Sequence, residues 1–498
     1  MPSTSQSAGT LVAGVDIGTT AVKAVVADED GRVVGRSRVA SRLAIGPDGS
    51  FEHDAPASWW EAPRSVLEQA VGAARPRAVA VSAMMPSVTA VDRTGRPLGP
   101  GLLYGDGRPG PPPVAPSRRP NASGPTASDP TASDEMARLC RWVAARHPSA
   151  AGYWPAQAVA NASLGGEGVT DLASAFAAGP LFGASGWDEA ACRAAGFPAA
   201  RLPRVAVFGE AIGNLVPGVL GAEHAGAGDV VLGAGSVDGM CEQLVAGTVD
   251  DGDVLVALGS TLVVWLTVPG WPDEVPGLWR APHLAPGMAM LGGASNAGGM
   301  WADWVDRVVR PSPYGTGPYG TGPYGTGPHG TGGGAGDHGV SPGDVPIWWP
   351  WAKGERVPWH DRALRVGLAG ADISQGPQAL RRGAYEATGF VARYIVERAA
   401  TCGTRPRRFV ASGGGTVNRA WLQALAEVLG QPVLPMTVPE GAALGAAWLA
   451  RMAAGLETSI SDGKRWARWS APVEPRREWA DAAAERYYRW REGLPPGV

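Results

Sequence analysis

Cysteine, lysine, an excess of one charge and long apolar runs are all scarce in this sequence of 498 residues. The four cysteines, Cys140, Cys192, Cys241 and Cys402, stand far apart. None has the CxxC or Cys/His spacing that a zinc or redox site requires, so they read as reduced, buried thiols. Lysine occurs only at Lys23, Lys353 and Lys464, while arginine, alanine, glycine and proline abound. That bias reads as GC-rich coding, and the richness in Arg and Gly is discounted as a functional signal. A net charge of -3 from 43 basic and 46 acidic residues leaves no basic field for nucleic acid and no acidic tail. The first ten residues are small and polar, and no later segment reaches about 18 uncharged apolar residues. The expectation is a cytoplasmic protein with a small-molecule partner, no nucleic acid and no membrane. Its length exceeds what one compact core usually supports, so two domains are expected.

Along the chain, apolar strands alternate with helical patterns, which predicts α/β layers. Residues 11–28, "LVAGVDIGTTAVKAVVAD", read as strand, Gly-Thr-Thr turn and strand. Helical spacing covers Trp59 to Val71, Asp134 to about Arg146, Ser374 to Ala400, Arg419 to Leu429 and a small-residue stretch from Glu440 to Ala453. The last forty residues read as Trp- and charge-rich helix. Residues 109–133 are too rich in Pro, Ser and Gly to pack and read as a mobile loop. A Pro-aromatic-Gly-Thr-Gly pentad repeats four times from Pro313 to Gly332. Units this short do not make a solenoid, and a surface linker is preferred over a phosphate site.

Three glycine turns and one acid carry the chemistry. Asp16-Ile17-Gly18-Thr19-Thr20 offers backbone N–H groups and hydroxyls to phosphate oxygens, with Asp16 placed to hold Mg²⁺ through water and Lys23 within reach of a γ-phosphate. Alone, it also fits an ordinary hairpin whose Asp caps a turn. Gly259-Ser260-Thr261 repeats the pattern between two more strands, and the pairing strengthens both. Gly413-Gly414-Gly415-Thr416-Val417-Asn418 ends a strand with bare backbone on which a purine can lie, although a plain strand-to-helix connection also uses such glycines. Asp238, in "VLGAGSVDGMCEQLVAG", sits between a glycine-rich turn and a helix. Glu242, one helical turn on, either supports it or is a solvated helix residue.

Taken in order, these features resemble the FGGY family of carbohydrate kinases. Supporting stretches are "RPLGPGLLYGDGR", "GEGVTDLASAF", "WPWAKGERVPWHD" and "PEGAALGAAWLA". The resemblance implies two ribonuclease-H-like domains, of the actin, hexokinase and Hsp70 ATPase superfamily, around a central nucleotide and sugar cleft. It implies a disordered segment 1–10, an N-terminal domain 11–247, a C-terminal domain 248–455 with a low-complexity insertion at 311–340, and a helical tail 456–498. Asp238 then matches the family's catalytic base, Asp16 its magnesium-associated aspartate, and Gly18, Thr19, Thr20 and Lys23 its first phosphate motif. Gly259, Ser260 and Thr261 match the second, and Gly413, Gly414, Gly415 and Asn418 fall on the adenosine motif. ATP and Mg²⁺ are the implied cofactors, and a homodimer is compatible with the family.

The substrate loop departs from its relatives. Where xylulokinase-like members carry Gly-Gln-Met-His and glycerol kinases Asn-Gln-Arg-Glu, this chain reads Ala83-Met84-Met85-Pro86. Met84, Met85 and Pro86 are candidate sugar contacts or core packing. Asp106, with Arg108, is a candidate polar contact or a surface salt bridge. The tryptophans of "IWWPWAKGERVPWH" fit sugar stacking or, preferably, packing between domains. The implied activity is phosphorylation of a small sugar or polyol, with a ketopentose such as xylulose one candidate. The alternative is a catalytically silent sugar or nucleotide sensor.

Overall fold

A computed structural model describes residues 10–110, 135–183, 185–221, 229–309, 339–438 and 440–495. The N-terminal segment, the Pro-rich loop and the pentad repeat lie, apart from their margins, outside the described residues. The chain forms two compact units, one of Met1–Val249, Ala281–Gly287 and Val438–Ala467, the other of Asp250–Arg280, Met288–Thr437 and Arg468–Val498.

The first unit is built on β1 (Val12–Ile17), β2 (Ala21–Ala27), β3 (Val33–Ala40), β4 (Ala78–Ala83) and β5 (Val231–Gly233), arranged in the order β3-β2-β1-β4-β5. β1 pairs antiparallel with β2 and parallel with β4, and β5 continues parallel to β4. β1 and β4 are buried along their whole length, as central strands covered on both faces must be. β3 alternates exposed and partly buried residues, the pattern of a strand with one wet face. α1 (Ala62–Val71), α2 (Glu135–Arg146), α3 (Ala156–Gly165) and α4 (Asp238–Ala246) belong to this unit.

The second unit repeats the plan with β6 (Asp253–Leu258), β7 (Leu262–Pro269), β8 (Met288–Ser295), β9 (Arg408–Ser412) and β10 (Val433–Pro435) in the order β8-β7-β6-β9-β10. Strand directions match those of the first sheet pair for pair. This is the duplicated ribonuclease-H-like sheet that the resemblance implied. Its helices are α5 (Gly299–Val309), α6 (Pro377–Ala399) and α7 (Arg419–Leu429).

α8 (Gly441–Ala453) lies far along the chain yet belongs to the first unit. It packs against β1 and α4 at backbone contact: a Cβ on Gly14 would fall 1.9 Å from the Ala443 carbonyl, and one on Gly445 would fall 2.0 Å from that of Cys241. Its small residues therefore select its neighbours, and a domain division drawn by chain position places it differently. The reading of residues 456–498 as one helical tail is also corrected. Ile460–Trp466 is a 3₁₀ turn of the first unit, where the Trp466 indole donates to the Glu29 carbonyl (3.0 Å). Among the described residues of this segment only α9 (Arg477–Glu492) is α-helix, and its Tyr487 and Trp490 are fully buried in the core of the second unit.

That core also takes the tryptophan cluster. Trp359 stacks on Tyr394 (5.5 Å, 7°) and meets Trp490 edge-on (6.0 Å). Trp351 packs beside it, so these rings are core of one unit in place of the expected packing between domains. Buried charge joins the helices around them. Glu386 of α6 accepts from Arg382 (3.0 Å) and from Arg486 of α9 (2.7 Å), and Arg382 also reaches Glu427 of α7.

Candidate active site

In the first unit, the hairpin between β1 and β2 carries Gly18, Thr19 and Thr20 at its tip, closed by the Gly18 N–H donating to the Ala21 carbonyl (3.0 Å). Thr20 is exposed and Gly18 and Thr19 are partly so. Three groups brace the turn from below. The Ser41 hydroxyl donates to the Gly18 carbonyl (3.1 Å), the Thr19 hydroxyl bonds the Tyr104 phenol (2.8 Å), and His53 Nε2 meets the Thr19 carbonyl (2.8 Å). Because the Trp59 indole donates to His53 Nδ1 (3.0 Å), the ring proton sits on Nε2 and points at Thr19. Burial holds this His below its ordinary pKa, which keeps it neutral.

Asp16 stands next to the last residue of β1, with Lys23 directly across on β2 and Ser82 beside it on β4. The Ser82 hydroxyl donates to Asp16 (3.3 Å), and Lys23 pairs with Glu440 (2.7 Å). Glu440 sits at the start of α8 with φ 51°, a left-handed conformation uncommon outside glycine. Burial, reinforced by the charge of Asp238, pushes Asp16 up to about 7 against the pull of Lys23. Asp238 begins α4, and the Gly239 N–H donates to its carboxylate (2.7 Å). The residue as a whole is half-buried. Burial, opposed by the Gly239 bond and aided by Glu242, pushes it up to about 6. A carboxylate poised there is deprotonated at neutral pH and still basic enough to take a proton in flight.

In the second unit, the Gly259-Ser260-Thr261 turn closes through the Gly259 N–H to the Thr261 carbonyl (3.1 Å). The start of α5 packs beneath it: Gly299 and Met300 N–H groups donate to the Gly259 (2.8 Å) and Ser260 (3.0 Å) carbonyls. Glu355, of the Gly-Glu-Arg block, fixes the approach to α5 by accepting from the Ser295 hydroxyl (2.9 Å) and the Asn296 N–H (2.8 Å). Burial pushes that carboxyl up to about 7.

The glycine run after β9 has a packing role as well as an open face. Gly413 has φ 83°, and a Cβ there would lie 2.8 Å from the Leu258 carbonyl; a Cβ on Gly415 would lie 2.7 Å from the Leu258 side chain. Gly413 and Gly414 remain exposed. Asn418 is engaged at both ends of its amide, accepting from the Trp421 N–H (3.1 Å) as the cap of α7 and donating to the Tyr385 phenol (2.9 Å). It holds the turn in shape, which narrows its expected role as a nucleotide contact.

Two of the expected sugar contacts are corrected. Met84 is 2% exposed and belongs to the hydrophobic core with Ile17 and Trp59. Asp106 is buried with both oxygens engaged: Oδ2 accepts from the Phe51 N–H (3.0 Å) and Arg108 Nη2 (2.6 Å), and Oδ1 accepts from Arg108 Nε (3.0 Å), whose guanidinium also pairs with Glu52. It is a brace inside the unit, neither a free ligand nor a surface ion pair. Met85 and Pro86 are partly exposed and stay in the set. Glu440, His53 and Tyr104 were not singled out from sequence. In the sequence Glu440 marks only a helix start, and nothing in "FEHDAPASWW" marks His53 as facing a turn more than thirty residues away.

Among the described residues no group of three or more His, Cys, Asp or Glu is arranged to hold a metal ion. No described helix is long and apolar enough to cross a membrane.

The chain resembles known proteins over nearly its whole length. It is 24% identical over 462 residues to the xylulose kinase of Escherichia coli strain K12, covering 90% of this chain and 91% of that protein. Over 151 residues, 29% of each chain, it is 34% identical to the glycerol kinase of Alcanivorax borkumensis. The solved xylulose kinase of Rhodospirillum rubrum superposes with a TM-score of 0.76 at 24% identity, covering 97% of this chain and 98% of that one. The glycerol kinase of Plasmodium falciparum with ADP gives 0.77 at 14% identity, over 98% and 99%. Models of the N-terminal domain and of the C-terminal domain of one family match residues 11–113 and 334–454. The chain belongs to the FGGY family of carbohydrate kinases.

Proposed function

We propose that this chain is an ATP-dependent carbohydrate kinase that transfers the γ-phosphoryl group of ATP to a hydroxyl of a small sugar or polyol, with a ketopentose such as xylulose the first substrate to try. The observation that carries this reading is Asp238: a partly exposed residue whose carboxylate is raised to about 6, in one unit with a Gly-Thr-Thr turn, Asp16 and Lys23. Asp238 takes the proton of the attacking hydroxyl as its oxygen forms a bond to the γ-phosphorus. The bond from that phosphorus to the bridging oxygen breaks, and ADP leaves with the electron pair. The Gly18, Thr19 and Thr20 turn and Lys23, and the Gly259, Ser260 and Thr261 turn, supply donors to phosphate oxygens, and Gly413, Gly414 and Gly415 offer the surface for adenosine.

Asp16 suits a magnesium ion carried by nucleotide. Its own burial and the neighbouring Asp238 raise it, and a cation would relieve that negative charge through water without a cage of protein ligands. Magnesium bound there would neutralise charge on the phosphates. Relatives named xylulose kinase at 23–24% identity over 88–93% of this chain support the ketopentose. Met85 and Pro86, partly exposed, offer no hydroxyl-binding side chain there, so discrimination among sugars falls to other groups.

The test is ADP formation from ATP and Mg²⁺ across ketoses, polyols and sugar acids. Turnover with a ketopentose, lost in Asp238→Asn with ATP binding retained, supports the proposal. ATP binding without turnover across the panel returns the sensor reading.

A further inference from the structure

The Thr170-Asp171 segment of "GEGVTDLASAF" takes no part in the chemistry above, yet it lies in a fully buried polar cluster that ends at the turn carrying Asp238. Asp171 is 0% exposed, as is Ser236, and Gln157 is 1% exposed. Both Asp171 oxygens are occupied by donors. One accepts from the Ser174 N–H (3.2 Å); the other accepts from the Ala173 N–H (2.9 Å) and from the Ser236 hydroxyl (2.8 Å). Three donors converging on one side chain call for an acceptor-only group, which a carboxylate is and an amide is not.

Ser236 stands two residues before Asp238, in a turn held from several sides. The Ala83 N–H at the end of β4 donates to the Ser236 carbonyl (3.3 Å), and Val237 pairs with Ala83 as a short parallel bridge. Gly235 presses on β4 so closely that a Cβ there would lie 1.8 Å from the Val81 carbonyl. Gln157 of α3 joins the two sides. Its amide donates to that same Val81 carbonyl (3.1 Å), while its oxygen accepts from the Thr170 hydroxyl (2.9 Å) and the Asp171 N–H (3.1 Å). The side-chain link from this cluster to the turn is the Ser236 hydroxyl on Asp171.

We propose that Asp171 is a positioning residue for Asp238, acting through the Ser236 hydroxyl to fix the turn that presents the base. This rests on the reading of Asp238 as the base. A base must sit within about 0.5 Å of its productive place, and a displacement of about 1 Å costs roughly 10²-fold in rate. Loss of the Asp171 to Ser236 bond therefore lowers kcat and leaves the binding of sugar and ATP nearly intact.

The experiment compares the full-length wild type with Asp171→Asn, Ser236→Ala, the double variant and Asp238→Asn. Each is assayed for kcat and for both KM values, with thermal melting to fix the folded fraction. Each single variant is expected to lose about 10-fold to 100-fold in kcat, with both KM values within about threefold. The double variant should fall no further than the worse single one, since both changes cut one link. Losses that multiply, or a Ser236→Ala kcat within twofold of wild type, overturn the proposal. Should Asp171→Asn fail to fold, Ser236→Ala decides alone, because it removes a single hydroxyl. A crystal structure of Ser236→Ala gives a reading independent of turnover: a displaced or doubled Asp238 carboxylate supports the proposal, and an unmoved one overturns it. An inactive wild type, or an Asp238→Asn variant that still turns over, sinks the kinase reading instead, while the position of that carboxylate still judges Asp171.

Discussion

The two units carry the same five-strand order and the same kind of turn, but they place buried charge differently. In the first, β1 presents Asp16 opposite Lys23 and beside Ser82. At the matching place in the second, β6 presents Ala257 opposite Val263 and beside Ser412. The Ser82 hydroxyl donates a hydrogen bond to Asp16 (3.3 Å), whereas the Ser412 hydroxyl is buried with no hydrogen-bond partner. Both turns close by a similar glycine N–H bond, 3.0 Å at Gly18 and 3.1 Å at Gly259. Much of the second unit's buried charge lies among its helices, at Arg382, Glu386, Glu427 and Arg486. The duplicated sheet thus keeps the glycine turn, which needs only backbone and hydroxyls, while an acid stands two residues before that turn in the first copy and an alanine in the second.

The largest expected break in that comparison is Asp238→Asn, which should lower kcat by about 10²-fold to 10⁴-fold while the nucleotide Kd, read by calorimetry, stays nearly unchanged. In the wild type, kcat/KM should rise as pH climbs through about 6, the value to which Asp238 is raised, because only the ionised form accepts a proton. Loss of activity on that rise would remove Asp238 as base.

Glu386→Ala attacks the second unit instead. It leaves the buried guanidiniums of Arg382 and Arg486 without that carboxylate and should destabilise the chain by about 3–5 kcal/mol, as breaking a buried pair does. Denaturant unfolding measures this, and turnover of the folded fraction at low temperature should persist.

Asp16→Asn separates stability from function. In the folded chain Asp16 is raised from 3.8 to about 7, so the native state holds the proton more tightly than the unfolded one. Stability from this group therefore falls as pH rises across that window and is lowest above it. The variant escapes the cost of the buried charge and should melt higher than the wild type at pH 8 without nucleotide, by roughly 2–4 °C per kcal/mol recovered, with reduced turnover. Equal melting temperatures at pH 8 would show the charge already compensated.

Ser412→Ala should be the mildest change. The hydroxyl it removes has no partner, so the stability change should stay within about 1 kcal/mol of zero or favour the variant. Ser82→Ala, which strips a donor from Asp16, should instead move the pH dependence. Similar behaviour of the two serines would erase the distinction between the units.

The Gly18 and Gly259 turns were legible because each follows an apolar run with a Gly-hydroxyl-hydroxyl break, a signal carried by neighbouring residues. Helix α7 was legible for the same reason, as a periodic apolar run spans Arg419 to Leu429, whereas the capping role of Asn418 came only from its bond to the Trp421 N–H. Met84 and Asp106 were not. A methionine at a strand end and an acid near an arginine read alike whether they face a ligand or the interior, and only packing on Ile17 or the bond from the Phe51 N–H separates the cases. Glu440 and Asp171 were out of reach for another reason, since their partners Lys23 and Ser236 lie 417 and 65 residues away.

By itself the sequence determined the two-domain α/β class and the turns, because strand periodicity and glycine turns are set by residues a few positions apart, while the choice of Asp238 rests on the family resemblance. Tertiary structure alone decided which acids meet. Asp16, Lys23 and Asp238 share one electrostatic environment only because β1 runs beside β4 and α8 returns to lie on β1. Burial in that arrangement, a property of no single residue, raises the two aspartates to about 7 and about 6.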